Sequence, residues 1–191
     1  MFRVQPDHIA ILVRSIDATV RSFPQTCVLH PNEEQPSEGT LEKYVTFGDR
    51  ISPSVLLMQA VAEGPYLRAM KKRGPGLHHI GCVCSDIEDQ IFSGAGSRLL
   101  LHPITIRTMR HDTVWFCRPG LPFLVELHQR PNVGNPSNPG TAGAILMLPK
   151  RSACPDDACR MFDNLVLENT NASSLVFSVA GLRVEIDPEV V

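Results

Sequence analysis

Two polar residues followed by an apolar run mark the first strand-like stretch of the chain, and the same pattern returns 71 residues later. Residues 7–23, DHIAILVRSIDATVRSF, align with residues 78–94, HHIGCVCSDIEDQIFSG. His8 falls on His79, Ile9 on Ile80, Ala10 on Gly81, Ile16 on Ile87, Asp17 on Glu88 and Val20 on Ile91. Each copy reads as a strand followed by a helix start, with Asp17 or Asp86, Glu88 and Asp89 where a helix N-terminus favours negative charge. Downstream, Tyr44-Val45-Thr46-Phe47 lies opposite Trp115-Phe116, both strand-like by aromatic and β-branched content. Val55-Leu56-Leu57-Met58-Gln59 lies opposite Val125-Glu126-Leu127-His128-Gln129 once the offset slips by one residue. The pattern therefore predicts two βαβββ modules, at about 7–65 and 78–130. The first closes with a short helix over 65–72 and the stop signal Arg73-Gly74-Pro75-Gly76, and a new strand starts at Leu77.

Beyond Arg130 the text PNVGNPSNPGTAG is too rich in Pro, Gly and Asn for anything but a linker, which sets residues 131–143 apart. Residues 144–191 predict a strand over 144–148, a helix over about 156–167 and a hairpin-like pair over 175–179 and 182–186. This is a partial third module. Val184-Glu185-Ile186 echoes Val125-Glu126-Leu127, but no histidine stands in its first strand. A structural cap or dimerisation piece is the role expected of it, with Glu185 binding nothing. The fold class is α+β, with the paired modules of residues 1–130 forming a half-barrel cavity.

Bulk properties narrow the function. A net charge of −2 over 191 residues gives no electrostatic case for nucleic acid or an anionic membrane. The basic run Lys71-Lys72-Arg73 fits a solvated helix end. No apolar stretch reaches the roughly 20 residues of a membrane span, and residues 1–6 are too short for a signal peptide. The six cysteines follow no zinc-ribbon or CxxC pattern, and Cys82 and Cys84 alternate within an apolar strand as small buried thiols. A cytoplasmic protein is expected, with a small-molecule substrate as partner and a homodimer as its assembly.

The repeat also points to a metal. His8 and His79 hold the same place in the first strand of each module, so pseudo-twofold pairing brings them face to face. Glu126 sits in the apolar strand Phe123-Leu124-Val125-Glu126-Leu127, where an unpaired carboxylate carries a heavy desolvation cost. Two imidazoles and a carboxylate suit one divalent ion: Fe, Co, Mn, Zn or Ni. Leu56, opposite Glu126 in the repeat, binds no metal and is expected to face the cavity. Gln59 is an outside candidate that period two places on the other face. His128 shares a face with Glu126 and is expected to line the cavity around the ion.

These residues resemble the vicinal oxygen chelate superfamily, which holds glyoxalase I, the extradiol dioxygenases and methylmalonyl-CoA epimerase. The text is most similar to that of the epimerases. Asp7-His8-Ile9-Ala10 looks like their opening strand. The stretch from Arg73-Gly74-Pro75-Gly76-Leu77-His78-His79-Ile80 to Ser85-Asp86-Ile87-Glu88 is similar to their most recognisable segment. Phe123-Leu124-Val125-Glu126-Leu127 looks like their last metal-bearing strand. The resemblance covers about residues 7–130. It implies His8, His79 and Glu126 as metal ligands, and Glu42 and Glu126 as the catalytic acid/base pair. It also implies Leu56 at the place of the fourth ligand. Arg107 to Asp112 replace a glycine-rich loop of that family, and Cys117-Arg118-Pro119 replaces its His-Pro. The implied activity is a metal-dependent epimerase or isomerase acting next to an acyl-CoA thioester carbonyl. The alternatives are an Fe(II) extradiol ring-cleaving dioxygenase and a non-catalytic small-molecule binding protein of the same fold.

Overall fold

The opening strand of the repeat, β1 (Gln5–Leu12), is buried along almost its whole length, as a strand must be when elements cover both of its faces. The computed structural model describes residues 5–48, 53–93, 100–103, 105, 114–118, 122–130, 143–155, 162, 164–179 and 181–190. Within these, β1 lies at the centre of an eight-stranded open sheet with β2 (Val28–Gln35), β3 (Thr40–Thr46), β4 (Ser54–Ala60), β5 (Gly76–Cys84), β6 (Leu100–Leu101), β7 (Val114–Arg118) and β8 (Leu124–Gln129). The strand order is β2-β3-β4-β1-β5-β8-β7-β6. Each half is one module whose first strand pairs in parallel with its last, β1 with β4 and β5 with β8, while β1 and β5 pair antiparallel across the centre. The two βαβββ modules expected from the repeat are thus present, side by side in one curved sheet.

The repeat extends to helix starts. In α1 (Ile16–Thr19), Ser15 Oγ accepts the amide of Ala18 at 3.2 Å; in α3 (Ile87–Ser93), Asp86 Oδ1 accepts that of Asp89 at 2.9 Å. Gln59 Oε1 accepts the Ile16 amide at 2.9 Å, and Gln129 Oε1 accepts the Ile87 amide at 3.5 Å. These glutamines stand at the end of the fourth strand of each module, Gln59 next to last in β4 and Gln129 last in β8, and satisfy amides that a helix start leaves without a partner. Gln59 therefore serves a helix on the convex face, away from the cavity.

In the first module β2 is the strand that its text does not show. β2, Val-Leu-His-Pro-Asn-Glu-Glu-Gln, shows no alternation and contains Pro31, yet it forms the outer edge of the sheet, where an unpaired side tolerates proline and charge.

Residues after the linker form a second sheet of β9 (Ala144–Leu148), β10 (Leu165–Asn169), β11 (Leu175–Val179) and β12 (Leu182–Ile186), in the order β10-β9-β11-β12. The expected helix over 156–167 is corrected at its end: Leu165, Val166 and Leu167 belong to β10, paired in parallel with β9. Leu165 and Leu167 are buried and Val166 is exposed, so period two prevails over the helical reading. Residues 156–161 and the linker residues 131–142 lie outside the described residues. Glu185 accepts a hydrogen bond from the Ser174 hydroxyl.

Both sheets share one apolar core. Ile9, Ile11, Val55, Leu57, Ile80 and Val125 from the convex face join Ile16, Ile87, Leu146, Phe177 and Ile186. Phe47 and Phe177 pack across the junction with ring centroids 5.0 Å apart and planes tilted by 52°. Arg14 fastens the seam, its amide donating to Pro188 O at 3.1 Å and its Nε to Glu189 Oε2 at 2.8 Å. Phe177 is fully buried, so Phe177→Ala is expected to cost about 3–5 kcal/mol. Because the core is shared, both sheets should unfold in one urea transition. A loss under about 1 kcal/mol, or two separate transitions, would show that the C-terminal sheet stands alone.

A smaller cluster occupies the concave face. Ala10 and Leu12 of β1 and Leu56 and Met58 of β4 pack with Tyr66 of α2 (Pro65–Arg73), and Tyr44, Ala69 and Met70 border them. Helix α2 starts with Pro65, whose missing N–H costs nothing at that position, and ends at Gly74 with φ 74°. It lids the apolar half of the cavity.

Candidate metal centre

Three strands bring the site together at one level. His8 of β1 pairs with Gly81 of β5, and Gly81 pairs with Glu126 of β8. A side chain at position 81 would fall inside the His8 ring, so glycine there is what lets the imidazole lie across the neighbouring strand. His79 stands two residues before Gly81, and His128 two residues after Glu126, on the same concave face.

The donor atoms converge. Glu126 Oε2 lies 2.7 Å from His128 Nε2 and 3.4 Å from both His8 Nε2 and His79 Nε2. His8 Nε2 and His79 Nε2 are 3.2 Å apart. Donors of His8, Glu126 and His128 all lie within 4.8 Å of one another. Two donors each about 2.1 Å from one ion sit about 3.0 Å apart at an octahedral right angle and about 3.4 Å apart at a tetrahedral angle. The spacings of 3.2 and 3.4 Å among His8, His79 and Glu126 suit a single divalent ion, and the 2.7 Å contact of His128 with Glu126 is of hydrogen-bond length. His8, His79 and Glu126 are all buried, and the structure brings their donor atoms within 3.4 Å of one another. Sequence reasoning set His128 beside the ion; its ring nitrogen instead lies within the donor cluster.

The electrostatics follow from this packing. Burial works against charge on Glu126, but hydrogen bonds with His128, His79 and His8 outweigh it and hold the carboxyl far below the usual range. Burial also disfavours a proton on His8, yet Asp7 and Glu126 raise it to about 9. His79 is lowered, mainly because it is buried.

Glu42 lies on β3 directly opposite Met58 of the concave cluster, and Tyr44, two residues on, turns its ring edge-on to His8 at 6.1 Å. Thr40 Oγ1 donates to Glu42 Oε1 at 3.1 Å. Burial raises the Glu42 pKa, with Glu38 and Glu126 adding to the rise against the effects of Thr40 and His8. Both Glu42 and Glu126 therefore border the same cavity with pKa values displaced in opposite directions. Leu56, opposite Ala10 and Tyr44, faces the cavity as a buried apolar wall. In the repeat, Leu56 and Met58 of the first module match Glu126 and His128 of the second. The polar donors of the two fourth strands are thus gathered on β8 alone. Beyond Leu12 the concave face opens into a cleft of about 320 Å³ bordered by Arg73, Leu77, His78, Pro122 and Ser152. Residues 107–112 lie outside the described residues.

Among known proteins, the Glyoxalase/Bleomycin resistance protein/Dioxygenase superfamily matches residues 7–104, just over half of the chain. No curated protein sequence matches it. Solved structures share the fold. A hypothetical protein from Bacillus halodurans C-125 is 24% identical with a TM-score of 0.51, over 69% of this chain and 97% of its own. A selenomethionine methylmalonyl-CoA epimerase is 21% identical with a TM-score of 0.50, over 68% and 97%. The methylmalonyl-CoA epimerase of Mycobacterium tuberculosis is 22% identical with a TM-score of 0.48, over 65% and 87%. No helix among the described residues is long and apolar enough to cross a membrane.

Proposed function

From the premise that this chain belongs to the glyoxalase/bleomycin resistance protein/dioxygenase superfamily, we propose that it is a metal-dependent epimerase or isomerase moving a proton next to an acyl thioester carbonyl. The observation that carries this reading is the convergence of His8, His79 and Glu126, with His128 hydrogen-bonded to Glu126 and a second carboxylate, Glu42, on the same concave face. Neutral imidazoles and one carboxylate around a divalent cation leave a local charge of about +1, which favours an anionic or enolate-like ligand. An ion held there would supply positive charge to the oxygen of an enolate as the α-proton leaves.

The chain's own groups do the rest. Glu42, its pKa raised by burial, is the second carboxylate placed to exchange a proton with the substrate carbon. Glu126 is held ionised and takes the opposite side. Leu56, Met58 and Tyr66 exclude water from the apolar half of the cavity, which strengthens each electrostatic contact inside it. Arg73 borders the cleft that continues past Leu12 and offers a cation to a phosphate or carboxylate of a longer substrate such as an acyl-CoA.

The ring-cleaving alternative needs three open positions on the ion, for a chelated diol and dioxygen together, as a facial triad provides. The second carboxylate on the concave face, Glu42, favours the proton-transfer reading, which has a use for it. The deciding assay is exchange of the α-proton of methylmalonyl-CoA into heavy water by metal-loaded protein, where exchange is expected. Oxygen uptake with catechols and no such exchange would replace this reading with the dioxygenase.

A further inference from the structure

In both modules the residue just ahead of the metal-site histidine breaks the strand ladder. Pro6 pairs with Cys82 and His8 with Gly81, which leaves Asp7 extra on β1; Ala10 pairs with His79 and Ile11 with Leu77, which leaves His78 extra on β5. Asp7 and His78 hold equivalent places in the repeat. In a regular ladder each would point to the face opposite its neighbour, but a bulge re-aims the side chain. Each bulged residue meets the Nδ1 of its own histidine. Asp7 Oδ2 lies 3.1 Å from His8 Nδ1, and His78 Nδ1 lies 2.9 Å from His79 Nδ1. Both are themselves held: Asp7 Oδ1 accepts from Arg130 at 3.0 Å, and the Tyr66 ring packs on His78 with centroids 4.9 Å apart.

We propose that Asp7 and His78 are a matched pair of positioning residues that fix His8 and His79 in the tautomer whose Nε2 lone pair faces the ion. This rests on the metal reading above. A neutral imidazole carries one proton; an acceptor at Nδ1 keeps it there and leaves the Nε2 lone pair for a metal. Asp7, as a carboxylate, only accepts, so His8 Nδ1–H donates to it. Of the two facing Nδ1 atoms of His78 and His79 only one can donate. His79 as an Nε2 ligand makes that donor its own, which sets the proton of His78 on Nε2. The two modules thus share one device with unequal strength, since an anion stands behind His8 and a neutral ring behind His79.

The test is zinc affinity by chelator competition in the full chain, with imidazole 15N shifts in the zinc-loaded protein. Asp7→Ala and His78→Phe remove the acceptor and are expected to weaken zinc about 10- to 100-fold. Asp7→Asn should fall between Asp7→Ala and the wild type. His78→Gln, which restores an acceptor of similar reach, should recover part of the loss and guards against a packing defect in His78→Phe. The 15N shifts should show His8 and His79 protonated at Nδ1 and metallated at Nε2. Variants that bind as the wild type does, or histidines metallated through Nδ1, would overturn this inference alone. A wild-type protein that binds no zinc, cobalt or manganese would overturn it together with the metal reading.

Discussion

Glu126→Gln is expected to abolish metal binding at micromolar ion concentrations and to abolish turnover with it. Glu126 Oε2 is the hub of the donor cluster, 2.7 Å from His128 and 3.4 Å from His8 and His79. Glutamine keeps the size and removes the charge, so the ion would enter a buried set of neutral donors with nothing to offset its own desolvation. Loss of a group that only supports a ligand already costs about 10- to 100-fold in affinity, and loss of the ligand charge itself should exceed about 100-fold. The wild-type protein supplies a second readout. His8 holds its proton up to about pH 9 in the metal-free protein, so an ion arriving at neutral pH must displace that proton. Affinity should therefore rise with pH between 7 and 9, by up to about tenfold per unit, and flatten above 9. Titration calorimetry on both proteins measures each effect. Unchanged affinity in Glu126→Gln would remove Glu126 from the site.

Glu42→Gln separates catalysis from metal binding. Glu42 is on β3, opposite Met58, and it touches none of the four donors in a hydrogen bond; Thr40 is its partner. Metal affinity should therefore stay within about twofold of the wild type, since His8, His79, Glu126 and His128 are untouched. Turnover should drop by about 100-fold or more, the usual scale for losing a positioned general acid or base. Glutamine preserves the shape and the hydrogen bond from Thr40, so folding should be retained. Exchange of the α-proton read separately from net epimerisation sharpens the result. If Glu42 serves one face only, exchange driven from the other face should survive longer than epimerisation does. Full activity in a metal-loaded Glu42→Gln protein would leave Glu42 as an edge-strand glutamate and would sink the two-carboxylate mechanism.

Local pattern and spacing determined the modular plan. The matching apolar runs in 7–12 and 77–84, the acidic helix starts at Asp17 and Glu88, and the equivalent fourth strands carrying Gln59 and Gln129 spell out the βαβββ repeat. The place of His8, His79 and Glu126 was legible for the same reason: equivalent residues of a repeat occupy equivalent faces, and period two says which residues share them. That Leu56 lines the cavity and Gln59 does not followed from this parity as well.

Parity fails wherever residues far apart in sequence set the register. Asp7 and His78 belong by period two to the face away from the ion, and only the pairing of β1 with β5 inserts the bulges that turn them back. No feature of DHIA or LHHI alone encodes an extra residue in a ladder whose partner strand lies some 70 positions away. The same holds for β2, whose polar text is strand only because β3 offers it hydrogen bonds, and for Leu165–Leu167, drawn into a strand by pairing with β9. His128 passed from the cavity wall into the donor cluster because its ring reaches Glu126 Oε2, a matter of side-chain geometry that spacing leaves open. Sequence thus set the modules and the facing of their residues, while hydrogen bonds between distant strands decided register, bulges and the completed donor set.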